Sequence, residues 1–200
     1  MTALHTITPA ALAAILASHA LWLADDPAGT RVDLRRADLS YADLSYAGLR
    51  YADLRYANLR NADLRYADLR RADLRRADLR GADLRSADLN YADLNYATLS
   101  GVDLTGANLS DGDLRYANLR GADLTGADLS GTNLWRANLS GTCLIDGGAD
   151  PRGYRFVGQG TADGRRVLAG CRDYTLAEAR EHWANNPDAL ARVEIIAAAP

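Results

Sequence analysis

The sequence predicts an all-β solenoid, and two regularities carry the prediction. Leucine recurs at every fifth residue from Leu34 through Leu144, twenty-three times without a gap. Alanine precedes nearly every leucine by two positions, and the residue between them is usually Asp or Asn. A period of five makes no face on an α-helix, where successive leucines drift by roughly 140°, and alternates between the faces of a flat strand. The leucines can share one buried core only if the chain bends after every unit into a coil.

A second and weaker regularity indicates how many units make one coil. Two sets of residues recur with a spacing of twenty: Gly81, Gly101, Gly121 and Gly141, and Arg35, Arg55 and Arg75. Four units per coil would stack each set along one line. The exceptions at the inward alanine position are few and close to alanine in size: Val32, Val102, Gly112, Thr132 and Thr142.

The run from Ala37-Asp38-Leu39 through Ala137-Asn138-Leu139 resembles the pentapeptide repeat proteins of bacteria and phage, over about 115 of 200 residues. The resemblance implies a right-handed, four-sided (quadrilateral) β-helix of nearly six coils. At about 4.8 Å per coil, the rod would be about 27 Å long. We expect its structural core to include Leu34, Leu39, Leu44, Leu54, Leu74, Leu94, Leu114, Leu134 and Leu144.

We expect an N-terminal capping helix in residues 1–30, ahead of the repeats in residues 31–145. Thr8 is suited to the N-cap and Pro9 to the first helical position. One apolar stripe follows at helical spacing, formed by Leu12, Ile15, Leu16, His19 and Leu23. Such a helix would cover the open end of the coil, whose unpaired backbone groups invite aggregation. We interpret His19 and Trp22 as part of this packing rather than as a binding pair.

Residues 146–200 predict a small C-terminal module of a β-hairpin and two helices. The stretch Asp146–Pro151 breaks the repeat and marks the boundary. The predicted hairpin has strands at Gly153–Gly158 and Arg165–Gly170, joined by a turn at Thr161–Gly164. The first predicted helix runs from Thr175 to about Ala184 and begins with a capping box that includes Glu178. The second begins at Asn186-Pro187 and has Leu190, Val193 and Ile196 on its apolar side. We expect the module to close the far end of the rod, to form a homodimer, or to do both.

The outward positions carry an arginine and tyrosine pattern that suggests an interaction surface. Residues 31–90 contain 13 Arg and 10 Asp, whereas residues 91–145 contain 3 Arg and 6 Asp. With four units per coil, one line would stack Arg36, Tyr56, Arg76, Tyr96, Tyr116 and Arg136, with Trp135 beside the last. Cation–π contacts could make this line a self-stabilising surface ladder. This is the simpler interpretation; because interfaces favour aromatic residues and arginine, the alternative is a docking face for protein or nucleic acid.

The Asp residues that lie between Ala and Leu in the repeats form a line that we call the Asp column. We interpret this column as structural rather than as a negatively charged recognition stripe. Asp at a short corner accepts hydrogen bonds from nearby backbone N–H groups. Asp53 is followed two residues later by Arg55, and this spacing recurs through the first half, so that the charges cancel at a distance.

No catalytic, cofactor or metal site is predicted. His5, His19 and His182 lie in separate predicted elements, and Cys143 and Cys171 provide neither a disulfide framework nor a zinc spacing. No stretch reaches the roughly twenty apolar residues that would span a membrane. We therefore expect a reduced, cytoplasmic protein that is not an enzyme.

The leading functional interpretation is a rigid, non-enzymatic scaffold that presents flat repeat faces to another protein. The family resemblance implies an alternative, in which the chain mimics DNA, modulates DNA gyrase or another type II topoisomerase, and gives resistance to quinolones or similar toxins. The basic first half, the inward Leu in place of Phe and the uninterrupted repeats argue against it. Direct nucleic-acid binding by the arginines is a third option, less favoured than these two, and would be strongly salt-dependent.

Overall fold

The computed structural model describes residues 5–142, 144–149, 155–161, 164–169 and 172–199. Its helices and strands are β1 (His5–Thr6), α1 (Pro9–Leu23), β2 (Ala37–Asp38), β3 (Ile145–Ala149), β4 (Arg155–Thr161), β5 (Gly164–Ala169), β6 (Arg172–Thr175), α2 (Leu176–His182) and α3 (Pro187–Ala198). The repeats between α1 and β3 contain one short strand, β2, and otherwise single-residue bridges.

Each repeat unit pairs in parallel with the unit twenty residues further on. Such bridges run from Asp33 with Asp53 to Asn118 with Asn138, so four units form one coil. Three backbone hydrogen bonds join a unit to the next coil. The N–H of Leu34 donates to the Asp53 carbonyl at 2.8 Å, that of Arg36 to the Arg55 carbonyl at 3.0 Å, and that of Asp53 to the Val32 carbonyl at 3.2 Å. The predicted twenty-residue period is therefore confirmed.

A tight turn separates one unit from the next. The N–H of Ala37 donates to the Leu34 carbonyl at 3.1 Å, and the same bond recurs as far as Thr142 with Leu139. The third residue of each turn has a left-handed backbone, as in Arg36 with φ of 57° and Gly81 with φ of 66°. A positive φ at this position is the signature of a type II turn, in which glycine is favoured. The glycines spaced by twenty residues occupy this position.

The leucine column forms the core of the coil. Of the nine leucines predicted as core, the first eight are at most 3% exposed, and Leu144 is partly buried against the same cluster. The polar substitution Thr132 is also buried, and its hydroxyl donates to the Leu109 carbonyl at 2.9 Å. Burial of a leucine side chain contributes about 1.5–3 kcal/mol, so this column dominates the stability of the coil.

Helix α1 packs on the N-terminal end of the coil. Its start is as predicted, because the Thr8 hydroxyl accepts from the N–H of Ala11 at 3.2 Å and Pro9 opens the helix. Leu12 is buried in the same cluster as the repeat leucines, and Ile15 and Leu16 pack against it. Strand β1, which was not predicted, pairs in parallel with β2 and lies above the first coil.

A four-stranded antiparallel sheet in the order β3-β4-β5-β6 covers the C-terminal end. Val157 and Leu168 belong to the cluster of the repeat leucines, whereas Val167 packs with α2 and α3. The paired strands β4 and β5 confirm the predicted hairpin, but Ala162 and Asp163 of its turn lie outside the described residues.

Two further strands correct the prediction for this module. The segment Asp146–Pro151, interpreted only as the boundary of the repeats, contains most of β3, and β6 was missed. Gly147 explains part of the missed strand. A glycine in the sequence suggests a turn, but here it allows β3 to pack closely against α3. A Cβ atom there would lie 3.0 Å from the Arg192 carbonyl oxygen of α3.

Both C-terminal helices begin where expected. Thr175 and Glu178 form the predicted capping box, although α2 ends at His182 rather than near Ala184. The Asn186 side chain accepts from the N–H of Ala189 at 3.1 Å at the start of α3. Its buried residues are Ala189, Val193 and Ile196, with Leu190 only partly buried. The division into 1–30, 31–145 and 146–200 and the homodimer remain predictions.

Candidate interaction surface

The predicted line of arginine and tyrosine follows one corner of the coil. We name each side of the coil by its leucine in the first coil, as the Leu34, Leu39, Leu44 and Leu49 sides. The corner after each leucine takes the same name. The Leu34 corner, between the Leu34 and Leu39 sides, carries Arg36, Tyr56, Arg76, Tyr96, Tyr116 and Arg136, and together with Trp135 these residues form the corner ladder.

The first half of the corner ladder consists of guanidinium groups alternating with aromatic rings. The guanidinium of Arg36 lies 5.3 Å from the Tyr56 ring centre. Arg76 lies between two rings, 5.9 Å from Tyr56 and 5.1 Å from Tyr96. Each contact is within the range of a cation–π interaction.

The second half is more aromatic. The rings of Tyr96 and Tyr116 stack at 4.6 Å, and Trp135 meets Tyr116 edge-on at 4.8 Å. Arg136 closes the ladder, 4.6 Å from the Trp135 ring and 5.8 Å from that of Tyr116. The structure thus brings all seven predicted residues into one continuous chain of contacts. Tyr56 and Tyr96 remain 46% and 48% exposed, so the ladder is open to a partner.

The Leu34 corner differs from the other three in its backbone chemistry. Its six turn residues all carry side chains, although their φ angles lie between 56° and 60°. The other corners change to glycine along the coil, at Gly81, Gly101, Gly121 and Gly141, at Gly106 and Gly126, and at Gly131. A side chain in the left-handed region costs about 1–2 kcal/mol per residue. The side chains of the corner ladder are therefore retained against a backbone penalty.

The Asp column has the structural role that the sequence predicts. Asp53 accepts at Oδ1 from the backbone N–H of Arg55 at 3.3 Å and from its Nε at 2.8 Å. The same guanidinium lies 3.5 Å from Asp73 of the next coil. Burial opposes ionisation of Asp53, but the hydrogen bonds from Arg55 outweigh it and hold the pKa below the usual value for Asp. Eight arginines are neutralised by such pairs: Arg35, Arg55, Arg65, Arg70, Arg75, Arg80, Arg85 and Arg115.

Asp93 is the exception within this column. Its own unit has Asn95 where the other Asp-containing units of the Leu34 side have Arg, although Arg75 of the preceding coil lies 3.5 Å away. Burial, together with the nearby charge of Asp113, raises the pKa of Asp93 above the usual value.

Another set of arginines has no carboxylate partner within the described residues. Arg36, Arg76 and Arg136 face aromatic rings, and Arg60 and Arg120 follow Asn58 and Asn118, where the ion-paired arginines follow Asp. All five are exposed. They lie on the Leu34 corner and the adjoining Leu39 side.

Sequence reasoning missed a second, shorter ladder on the Leu49 corner. Arg71 lies between the rings of Tyr51 and Tyr91, at 5.9 and 5.0 Å, and Trp22 of α1 meets Tyr51 edge-on at 6.2 Å. The twenty-residue spacing of these three repeat residues was a usable signal. This ladder ends at Asp111 and Gly131, so it covers only part of the coil.

His19 makes two hydrogen bonds at the N-terminal end of the coil that the sequence did not predict. It is fully buried, and its Nδ1 accepts from the N–H of Val32 at 3.2 Å. The ring proton must therefore be on Nε2, which donates to the Arg50 carbonyl at 2.9 Å. Burial lowers the pKa of His19. Since the ring also stacks on Trp22 at 5.4 Å, the residue joins α1 to the first coil, in keeping with its interpretation as cap packing.

Within the described part of the chain, no group of three or more His, Cys, Asp and Glu residues is arranged to hold a metal ion. None of the described helices is long and apolar enough to cross a membrane. Cys143 and Cys171 lie outside the described residues.

Comparison with known proteins identifies the repeat. The family model described as pentapeptide repeats matches residues 42–81, 67–106, 82–119 and 107–146, which together are just over half of the chain. No curated protein matches.

Several solved structures are similar to the chain. The pentapeptide repeat protein Rfr23 from the cyanobacterium Cyanothece 51142 is 42% identical over 46% of this chain and 58% of its own, with a TM-score of 0.37. A pentapeptide repeat protein of the Arabidopsis thaliana thylakoid lumen is 35% identical over 51% of this chain and 68% of its own, with a TM-score of 0.36. QnrB1, a plasmid-mediated fluoroquinolone resistance protein, is 19% identical over 55% of this chain and 71% of its own, with a TM-score of 0.23. The present chain thus spans less than two thirds of the length of Rfr23. On the match of its repeats to the family model, the chain belongs to the pentapeptide repeat family.

Proposed function

We propose that the chain is a non-enzymatic scaffold that binds another protein through the corner ladder. The coil would be right-handed and four-sided, as the family's is. One observation carries the proposal: the Leu34 corner keeps arginine or tyrosine in all six coils, in a backbone conformation where the other corners turn to glycine. Internal contacts offset part of this cost, at about 0.5–1 kcal/mol for each exposed cation–π pair. Half-exposed tyrosines and arginines are also the residues that dominate protein interfaces.

The experiment compares two variants that remove aromatic rings without adding backbone strain. Tyr56→Gly/Tyr96→Gly/Tyr116→Gly clears the corner ladder, and glycine already occupies equivalent left-handed positions on other corners. Tyr46→Gly/Tyr66→Gly is the control, because these rings also stack on each other, at 4.9 Å, but lie on the Leu44 corner. Proteins captured by the wild type should be lost with the first variant and kept with the second. Capture that survives in the first variant would contradict the proposal.

A second candidate function is modulation of DNA gyrase by mimicry of DNA. The observation in its favour is the Leu44 side, which carries Asp at the same position in five successive coils: Asp43, Asp63, Asp83, Asp103 and Asp123. These carboxylates reproduce the charge of DNA only in part, because Arg65 and Arg85 form ion pairs with three of them, Asp63, Asp83 and Asp103. A supercoiling assay is decisive. Unchanged gyrase activity and unchanged quinolone sensitivity at micromolar protein would exclude this function.

A further inference from the structure

The five exposed arginines named above, which have no carboxylate partner within the described residues, lie on one part of the coil surface, whereas Arg31, Arg50 and Arg71, which also have none, lie around the Leu49 corner. The Leu34 corner holds Arg36, Arg76 and Arg136 and no carboxylate. The adjoining Leu39 side holds three arginines against two aspartates, whereas the Leu44 side holds two arginines against five aspartates. Charge is therefore separated around the coil as well as along it. We call the Leu34 corner together with the Leu39 side the basic face.

We infer that the basic face binds an extended, acidic polypeptide segment. This inference rests on the proposed function and names the chemistry of the partner. A guanidinium held over an aromatic ring uses none of its N–H groups as a hydrogen-bond donor in that contact, and these groups match a carboxylate in a bidentate pair. Arg36, Arg76 and Arg136 are held over rings in this way, with no ion pair within the described residues.

The spacing of these groups sets the length of the segment. Arg36 and Arg76 are two coils apart, which is about 10 Å, and Arg76 and Arg136 are three coils apart, which is about 14 Å. An extended chain advances about 3.3 Å per residue, so a segment of about eight residues spans all three. Arg60 and Arg120 on the Leu39 side would add charge along the same path.

Packing within the corner ladder argues against single-stranded nucleic acid as the occupant. Sequence-tolerant binding of single strands needs aromatic faces on which bases stack. The Tyr56 ring contacts Arg36 and Arg76, and the Tyr96 ring contacts Arg76 and Tyr116. Ring edges, hydroxyl groups and guanidinium edges remain available, and these suit carboxylates better than bases.

The test is the binding of a fluorescent poly-L-glutamate of about twenty residues, followed by anisotropy at about 50 mM salt, where surface charges are weakly screened. We expect saturable binding by the wild type. Arg36→Gln/Arg76→Gln/Arg136→Gln should weaken it at least about tenfold, because three exposed charge pairs are removed. Arg65→Gln/Arg70→Gln/Arg85→Gln removes the same net charge from arginines already paired with Asp, and should weaken it less than about threefold.

Folding of each variant is checked by its urea unfolding curve, and Arg76→Gln and Arg65→Gln provide a single-site pair if a triple variant is unfolded. Absence of saturable binding, or equal weakening by both triple variants, would overturn the inference. So would tighter binding of a labelled single-stranded or duplex oligonucleotide that the Arg36, Arg76 and Arg136 changes abolish. If poly-glutamate does not bind but protein capture still requires the ladder tyrosines, the proposed docking face is retained and only the inference of an acidic partner is rejected.

Discussion

His19→Leu tests how the N-terminal helix is joined to the coil. The substitution keeps an apolar side chain of moderate size but removes both ring nitrogens. The N–H of Val32 and the carbonyl of Arg50 then lose their partners at the buried junction. An unsatisfied buried group costs about 1–3 kcal/mol, and the Arg50 carbonyl is only partly buried. We expect a loss of about 2–3 kcal/mol in the free energy of unfolding at pH 7.5.

The same residue predicts a pH dependence whose sign follows from its pKa. Because the pKa of folded His19 lies below its unfolded value of 6.5, the unfolded chain takes up the proton first. The stabilisation is complete above pH 6.5 and is lost as the pH falls below it. Urea unfolding followed by circular dichroism at pH 7.5 and pH 5 should show this loss in the wild type and a smaller one in His19→Leu. His182→Gln is the control and should behave like the wild type, since it leaves His19 in place.

A loss below about 1 kcal/mol at pH 7.5 would show that His19 does not satisfy both buried groups, because one orphaned buried donor alone should cost that much. Equal pH dependence in the wild type and in His19→Leu would refute the assigned protonation state.

Three further predictions concern the coil itself. Leu94→Ala should lower the free energy of unfolding, measured by urea denaturation, by about 2–5 kcal/mol. Leu144→Ala, at a partly buried site, should lower it by clearly less. Equal losses would contradict the conclusion that the leucines in the middle of the coil are more fully buried than the last one. Gly101→Val should lower the free energy of unfolding by about 1–2 kcal/mol in the same assay, because a φ of 67° is unfavourable for a residue with a side chain. A Cβ atom at this position would meet nothing within 4 Å, so a steric clash would not explain the loss. An unchanged free energy would show that the left-handed backbone carries no penalty here. Asp53→Asn keeps an oxygen that can accept from the N–H of Arg55 but breaks the ion pair, so it should cost about 1 kcal/mol at pH 7. Since the pKa of folded Asp53 is lowered, that difference should vanish as the pH falls through it, and a difference that persists in acid would assign the loss to something other than the charge.

The coil was predictable because its signal is local and repeated. The spacing of Leu34, Leu39 and their successors admits one solution, and the twenty-residue recurrence of glycine indicated the size of the coil. The line from Arg36 to Arg136 followed from that size, and each predicted member contacts a neighbour in the structure.

The unpredicted features depend on contacts between distant segments. The left-handed backbone at Tyr56 could not be foreseen, since a tyrosine disfavours that conformation and only the closure of the coil imposes it. Strand β3 contains Asp146 and Gly147, which suggest a turn in isolation, and its pairing with β4 overrides that preference. His19 offered only a place on an apolar stripe, because its two hydrogen-bond partners lie 13 and 31 residues away.

The affinity of a captured partner for the two tyrosine variants tests the central claim most directly. Isothermal titration would compare the wild type with Tyr56→Gly/Tyr96→Gly/Tyr116→Gly and with Tyr46→Gly/Tyr66→Gly. If the corner ladder is the docking face, the first variant should bind at least about tenfold more weakly, while the second should stay within about twofold of the wild type. Equal affinities for all three proteins would show that the ladder serves only the stability of the coil.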